Sequence, residues 1–171
     1  MQKRGIIFAA LFMLLAAATT MAEGGQEVTG ELLESGDYTV WTGEWMTFTK
    51  ADGADPTLEE NQDRITDSVW ITRGNEGGQI INIVERERYS KSGSPVGTYW
   101  AVGTTDELTE LEFAPFRTAV RSPKEVVGME LVMFIEEEQI FLDVEFLSWS
   151  QGKDGGFSYR RRTPAKEQSG E

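Results

Sequence analysis

The chain has 171 residues, a formal net charge of −13, and neither cysteine nor histidine. Disulfide bonds are therefore excluded, and so is chemistry that depends on a thiolate or an imidazole. The excess of acidic side chains repels phosphate groups and anionic lipids, so we expect no nucleic-acid partner and no membrane insertion of the mature chain.

Residues 1–22 have the pattern of a secretory signal peptide. The basic pair Lys3 and Arg4 precedes the apolar run 5–18, and Ala22 is the small residue that a cut site needs. The run is shorter than the roughly 20 apolar residues of a membrane-spanning helix. An exported chain without cysteine fits a bacterial periplasm or exterior better than a eukaryotic secretory route. We therefore expect a bacterial protein that is periplasmic or extracellular.

The rest of the chain predicts one folded domain between two loose ends. Residues 23–36 are acidic and contain glycine, which predicts a flexible arm. Residues 162–171 are polar and predict a flexible tail. Residues 37–161 provide enough chain for a single domain.

Short segments of alternating apolar and polar residues recur through residues 37–161, between clusters of glycine, asparagine and aspartate. We count about eight or nine such segments. They predict an all-β fold, an antiparallel β-sandwich of jelly-roll-like or barrel-like form. Because side chains alternate along a strand, the longest segment has one face towards the core and one away from it. The predicted core face is Ile140, Leu142, Val144 and Phe146, and the predicted opposite face is Phe141, Asp143 and Glu145.

Several motifs follow one another in a specific order. They are FTKADGADPT at 48–57, NQDRIT at 61–66, VWITRG at 69–74, SWSQG at 148–152 and GGFSY at 155–159. In this order they resemble an uncharacterised all-β domain of secreted and surface proteins from environmental bacteria. The resemblance implies an exported β module and brings no activity, cofactor or site residue with it.

An acidic loop follows the second strand-like segment. Asp52, Asp55 and Asp63 lie near a bend that Gly53 and Pro56 can form. Calcium in extracellular modules is held by several oxygen ligands on such loops, so these three aspartates are candidate ligands for weakly bound Ca²⁺. The alternative is a solvated loop whose aspartates cap turns.

Asp143 and Glu145 are the one pair of carboxylates whose spacing suggests a catalytic role. They stand two residues apart on a strand, with Cα atoms about 6.6 Å apart on the same face. Laminarinase-type sandwiches use a Glu-x-Asp-x-Glu strand for glycoside hydrolysis, but here Phe141 occupies the first position. The alternative is an ordinary polar strand face. We expect no catalysis from this pair.

Arginines within the strand-like segments, at Arg64 and Arg73, lie close to aromatic and acidic residues. An arginine in such a setting usually makes a fixed ion pair, and this structural role is the one expected here. Ligand recognition is the alternative.

Five tryptophans are many for a domain of this size. An exposed tryptophan can stack on a sugar ring, whereas a buried one only fills the core. The five tryptophans are Trp41, Trp45, Trp70, Trp100 and Trp149.

Together these patterns predict an exported, non-catalytic module that binds a glycan or another surface polymer. The alternatives are a carbohydrate-active hydrolase using Asp143 and Glu145, and a purely structural or adhesive module.

Export predicts a defined new N-terminus. Because the small residue Ala22 follows the apolar run, protein recovered from its native host should begin at Glu23. N-terminal sequencing measures this directly. An intact Met1 on a cytoplasmic species would contradict the prediction.

Overall fold

The computed structural model describes residues 21–85 and 93–166, so the predicted signal segment up to residue 20 lies outside the described part. Three short 3-10 turns, Glu59–Asn61, Thr105–Glu110 and Pro123–Glu125, accompany two helices and nine strands. The helices are α1 (Met21–Ser35) and α2 (Phe116–Val120). The strands are β1 (Thr39–Trp41), β2 (Trp45–Lys50), β3 (Asp63–Arg64), β4 (Trp70–Arg73), β5 (Ile80–Asn82), β6 (Thr98–Val102), β7 (Glu130–Ile135), β8 (Ile140–Trp149) and β9 (Phe157–Arg162).

The nine strands form an all-β sandwich of two sheets. The large sheet has the order β2-β9-β8-β7-β6, and β1 adds a short parallel pairing with the start of β8. The small sheet has the order β3-β4-β5 and is antiparallel. The predicted fold class is confirmed, and within the described residues the sheets do not close into a barrel.

The main core lies between the two sheets. Trp100, Phe116 and Phe146 form an aromatic cluster at its centre, with ring centroids 5.0–6.4 Å apart. The predicted core face of β8 is confirmed, since each of its four side chains is buried: Ile140, Leu142, Val144 and Phe146. Alternation along the strand then turns Asp143 and Glu145 to the other side of the sheet.

A second, smaller core covers one end of that other side. The rings of Phe134 and Phe141 stack with centroids 4.6 Å apart, and Phe113 packs edge-on against Phe141. Leu32 of α1 belongs to the same cluster. The large sheet is therefore buried on both faces at this end. Phe141 shares a face with Asp143 as predicted, but it is fully buried.

Most of segment 23–36, which the sequence predicts to be a flexible arm, is helix α1. Thr29 and Leu32 are buried against the second core. The backbone N–H of Phe113 donates to Oε1 of Gln26 at 2.9 Å, which ties the helix to the following chain. None of the helices within the described ranges is long and apolar enough to cross a membrane.

The predicted flexible tail also begins too early. Arg162 belongs to β9, and the N–H of Thr163 donates to the carbonyl of Glu44 at 3.1 Å. Lys166 forms an exposed ion pair with the Glu44 carboxylate at 2.9 Å. The pairing with the start of β2 thus continues past β9, and residues 167–171 lie outside the described part.

A buried ion pair joins the two sheets. Asp63 of β3 accepts hydrogen bonds from Nε and Nη2 of Arg161 on β9, at 2.7 and 2.8 Å. The Tyr159 hydroxyl donates to the same carboxylate at 2.6 Å. Asp63 and Arg161 are only 4–5% exposed, so both charges have left water and depend on each other.

Tyr159 makes this cluster sensitive to alkaline pH. Burial raises the pKa of Tyr159 well above its usual range, and the Asp63 carboxylate raises the pKa further. Because the pKa of this hydroxyl is higher in the folded protein, its contribution to the free energy of unfolding is fully present below the unfolded pKa of about 10. That contribution is lost as the pH rises from there through the folded pKa.

Removal of one partner should therefore destabilise the sandwich strongly. Asp63→Ala leaves Arg161 buried and unpaired, so we expect a loss of about 3–5 kcal/mol in the free energy of unfolding. The matched control is Glu59→Ala, which removes an exposed carboxylate paired with Arg64 and should change stability little. Urea denaturation of both variants measures the difference, and equal losses would contradict the role assigned to Asp63.

Candidate functional site

The candidate site is a groove on the outer face of the large sheet. Its lining includes Trp45, Thr104, Asp106, Asp143, Glu145 and Arg160, and its volume is about 190 Å³. We refer to it as the Trp45 groove. Strand register builds it, since Trp45 of β2 is opposite Arg162 of β9, and Arg160 of β9 is opposite Glu145 of β8. These side chains face away from the main core because they alternate with buried neighbours.

Of the four carboxylates that line the groove, the two on β8, Asp143 and Glu145, have fixed partners. Glu145 accepts from both Nε and Nη2 of Arg160, the former at 2.8 Å. Asp143 accepts from the backbone N–H of Thr105 at 2.7 Å and from its hydroxyl at 3.2 Å. Arg162 approaches Asp143 at 3.8 Å. The groove therefore carries an ordered set of charged donors and acceptors.

Trp45 is the exposed aromatic side chain of this groove, with 38% of its surface accessible. The guanidinium carbons of Arg160 and Arg162 lie 4.6 and 4.4 Å from the centroid of its ring. Contacts of this kind attract a cation to the aromatic face and restrain the ring. An apolar surface is thereby fixed beside polar groups that still face solvent.

The other four tryptophans have structural contacts. Trp41 and Trp100 are buried in the main core. Trp70 and Trp149 are half-buried, and each carries an arginine over its ring, Arg64 at 4.1 Å and Arg73 at 4.0 Å, respectively. Of the five candidate sugar-stacking residues, Trp45 is thus the one that the structure exposes.

Arg160 and Arg162 were not among the residues predicted from the sequence. The signal was present, because three consecutive arginines on a strand must place the outer two on one face and the middle one on the other. The middle residue, Arg161, is the buried partner of Asp63. The acidic partners of Arg160 and Arg162 depend on how the strands pair, and no local sequence pattern predicts that pairing.

The three candidate calcium ligands have separate partners. Both carboxylate oxygens of Asp63 are occupied by Arg161 and Tyr159. Asp55 caps a turn, since its Oδ1 accepts from the N–H and the hydroxyl of Thr57, each at 2.8 Å. Asp52 accepts a hydrogen bond from the hydroxyl of Ser150. Among the described residues, no group of three or more acidic side chains is placed to hold a metal ion.

A larger hollow of about 910 Å³ lies elsewhere, beside α1. It is open and mainly apolar, with Val102, Phe113 and Met129 among its lining residues. We base the candidate site on the smaller Trp45 groove, because that groove combines an exposed ring with fixed charged groups.

Among known proteins, no family model, no curated protein and no solved structure matches this chain. The resemblance to an exported bacterial domain therefore stays a prediction. Functional inference depends on the geometry of the chain itself.

A thermal melt decides whether the acidic loop binds calcium. Because Asp63 would have to leave Arg161 and Tyr159 to bind a cation, we expect millimolar Ca²⁺ to leave the melting midpoint unchanged relative to chelator at equal ionic strength. A midpoint that rises with calcium, and no longer rises in Asp55→Ala, would contradict this expectation and establish the loop as a calcium site.

Proposed function

We propose that this protein is an exported, non-catalytic module that binds a glycan, or another cell-surface polymer, at the Trp45 groove. The observation that carries the proposal is the exposed Trp45 ring, held in place by two arginines in a groove that four carboxylates also line. Aromatic rings stack on the apolar faces of sugars, while their polar edges stay in water.

The charged groups of the groove suit the hydroxyls of a sugar. A carboxylate accepts hydrogen bonds and a guanidinium donates them, so Glu145 and Arg160 offer both types side by side. Both side chains remain partly exposed and can exchange contacts with water for contacts with a ligand. Because their mutual ion pair orients them beforehand, little further ordering is needed on binding.

The same contacts disfavour a hydrolase. A glycosidase needs one carboxylic acid that gives up a proton and a second carboxylate that acts as a nucleophile or base. Glu145 is engaged by two nitrogens of Arg160, and Asp143 is held by Thr105. Both carboxylates therefore already have hydrogen-bond partners, whereas a general acid or base has to reach the glycosidic oxygen or the attacking water.

Export belongs to the same proposal and rests on the signal-like segment 1–22. A cut after Ala22 would remove only the first two residues of α1. The residues that anchor this helix, Gln26, Thr29 and Leu32, would all remain.

Affinity electrophoresis in gels that contain different polysaccharides tests the proposal. Trp45→Ala should weaken retention by a binding polymer by at least about tenfold, because the loss of a stacked ring removes more than about 1.4 kcal/mol. The matched control is Trp70→Ala, a half-buried tryptophan that also carries an arginine but does not line the groove.

Equal retention of the Trp45→Ala variant and the unmodified protein would contradict the assignment of the site. Release of reducing sugars from a retained polymer, abolished by Glu145→Gln, would show that the protein is a hydrolase instead. Absence of retention by every polymer would favour the structural or adhesive alternative.

A further inference from the structure

A second pocket, separate from the Trp45 groove, lies where the end of β4 meets the loop between β8 and β9. Its volume is about 170 Å³. Three basic side chains line it, those of Arg73, Arg117 and Lys124, and no acidic side chain does. We call it the basic pocket. Such a grouping is unexpected in a chain with 29 acidic and 16 basic side chains.

Arg73 is the fixed element of the basic pocket. It is only 2% exposed. Nε donates to the carbonyl of Gly78 at 3.1 Å, and Nη1 donates to the carbonyls of Ser150 and Gly156 at 2.9 Å each. Trp149 lies under its guanidinium at 4.0 Å. These contacts use three of its five N–H groups and hold the guanidinium plane rigidly.

Within the part of the chain that the structure describes, no carboxylate lies at ion-pair distance from Arg73. None of the ion pairs among the described residues includes Arg73, Arg117 or Lys124. Burial lowers the pKa of Arg73, and the more distant carboxylates of Asp52 and Asp154 offset this only in part. A buried cation without a carboxylate partner gains more from a bound anion than an exposed one does.

Unused donors remain at the basic pocket. No hydrogen bond of Arg73 Nη2 is found within residues 21–85 and 93–166, and none is found there for the indole N–H of Trp149. Arg117 on α2 and Lys124 on the following 3-10 turn are exposed and can adjust their positions. The pocket thus combines a rigid inner donor with two adaptable outer cations.

We propose that the basic pocket binds a tetrahedral oxyanion, a sulfate or phosphate group. A carboxylate is best recognised by two parallel N–H groups on different nitrogens of one arginine. Arg73 cannot offer that arrangement, because Nε and Nη1 are already occupied and only Nη2 remains. An anion in this pocket therefore has to be shared between Arg73 and the outer cations, and a tetrahedral group presents oxygens in enough directions to do so. Three converging positive charges match a doubly charged anion better than a singly charged one.

Isothermal titration calorimetry with sodium sulfate, sodium phosphate and sodium acetate, at constant ionic strength, tests this proposal. We expect sulfate and phosphate to bind with millimolar or better affinity, and acetate to bind about tenfold more weakly or not at all. The double variant Arg117→Gln/Lys124→Gln should bind sulfate about tenfold more weakly, since it removes two of the three charges. Both substitutions are on exposed side chains, so folding should be preserved.

The matched control is Arg121→Gln/Lys166→Gln, which removes the same charge from exposed positions that do not line the basic pocket. It should bind sulfate as the unmodified protein does. Glucose 6-sulfate separates the two sources of the group, since binding tighter than that of free sulfate assigns a sulfated sugar and equal binding assigns the free ion. Failure of sulfate and phosphate to bind, equal affinity for acetate, or unchanged binding in the Arg117→Gln/Lys124→Gln variant would each overturn the proposal. None of these outcomes depends on the Trp45 groove.

Discussion

The buried pair Asp63–Arg161 is the contact on which both the fold and the candidate site depend. It joins the small sheet to β9 through two hydrogen bonds of 2.7 and 2.8 Å, in a region closed to water. Because side chains alternate along β9, the inward position of Arg161 turns Arg160 and Arg162 outward, where they contact Trp45 and the carboxylates of β8. A shift of β9 by one residue would reverse all three arginines, losing the core contact and the groove together.

Two further buried cations fix the opposite end of the sandwich. Lys50, at the end of β2, donates to Asn75 at 2.9 Å and to the carbonyl of Gly155 at 3.3 Å. Arg73 binds the carbonyls of the loop between β8 and β9. Burial lowers the pKa of Lys50, and the positive charge of Arg73 lowers the pKa further. Carbonyl and amide oxygens thus hold these two cations, and neither of them takes part in an ion pair among the described residues.

Most strand positions and the core face of β8 could be predicted from the sequence, because period-two alternation is a local signal. Helix α1 could not, because its sequence begins with glycines and acids, and its stability comes from burial of Leu32 against rings that follow much later in the chain. The burial of Phe141 could not be predicted either, because this ring belongs to the same cluster as Leu32. The partner of Asp63 lies 98 residues away, so no local sequence pattern could predict the ion pair that this residue makes. The groove could be predicted only in part: Asp143, Glu145 and the exposed tryptophan were candidates, and the arginines that organise them were not.

If the Trp45 groove binds a glycan, Trp45 contacts the ligand and the core tryptophans do not. The most direct measurement is a ¹H–¹⁵N spectrum of the five indole N–H groups, titrated with an oligosaccharide derived from a retained polysaccharide. We expect the resonance of Trp45 to shift and to reach saturation as ligand is added. The resonances of Trp41 and Trp100 should not shift, because these two residues lie in the main core. Saturable binding with an unchanged Trp45 resonance would contradict this expectation.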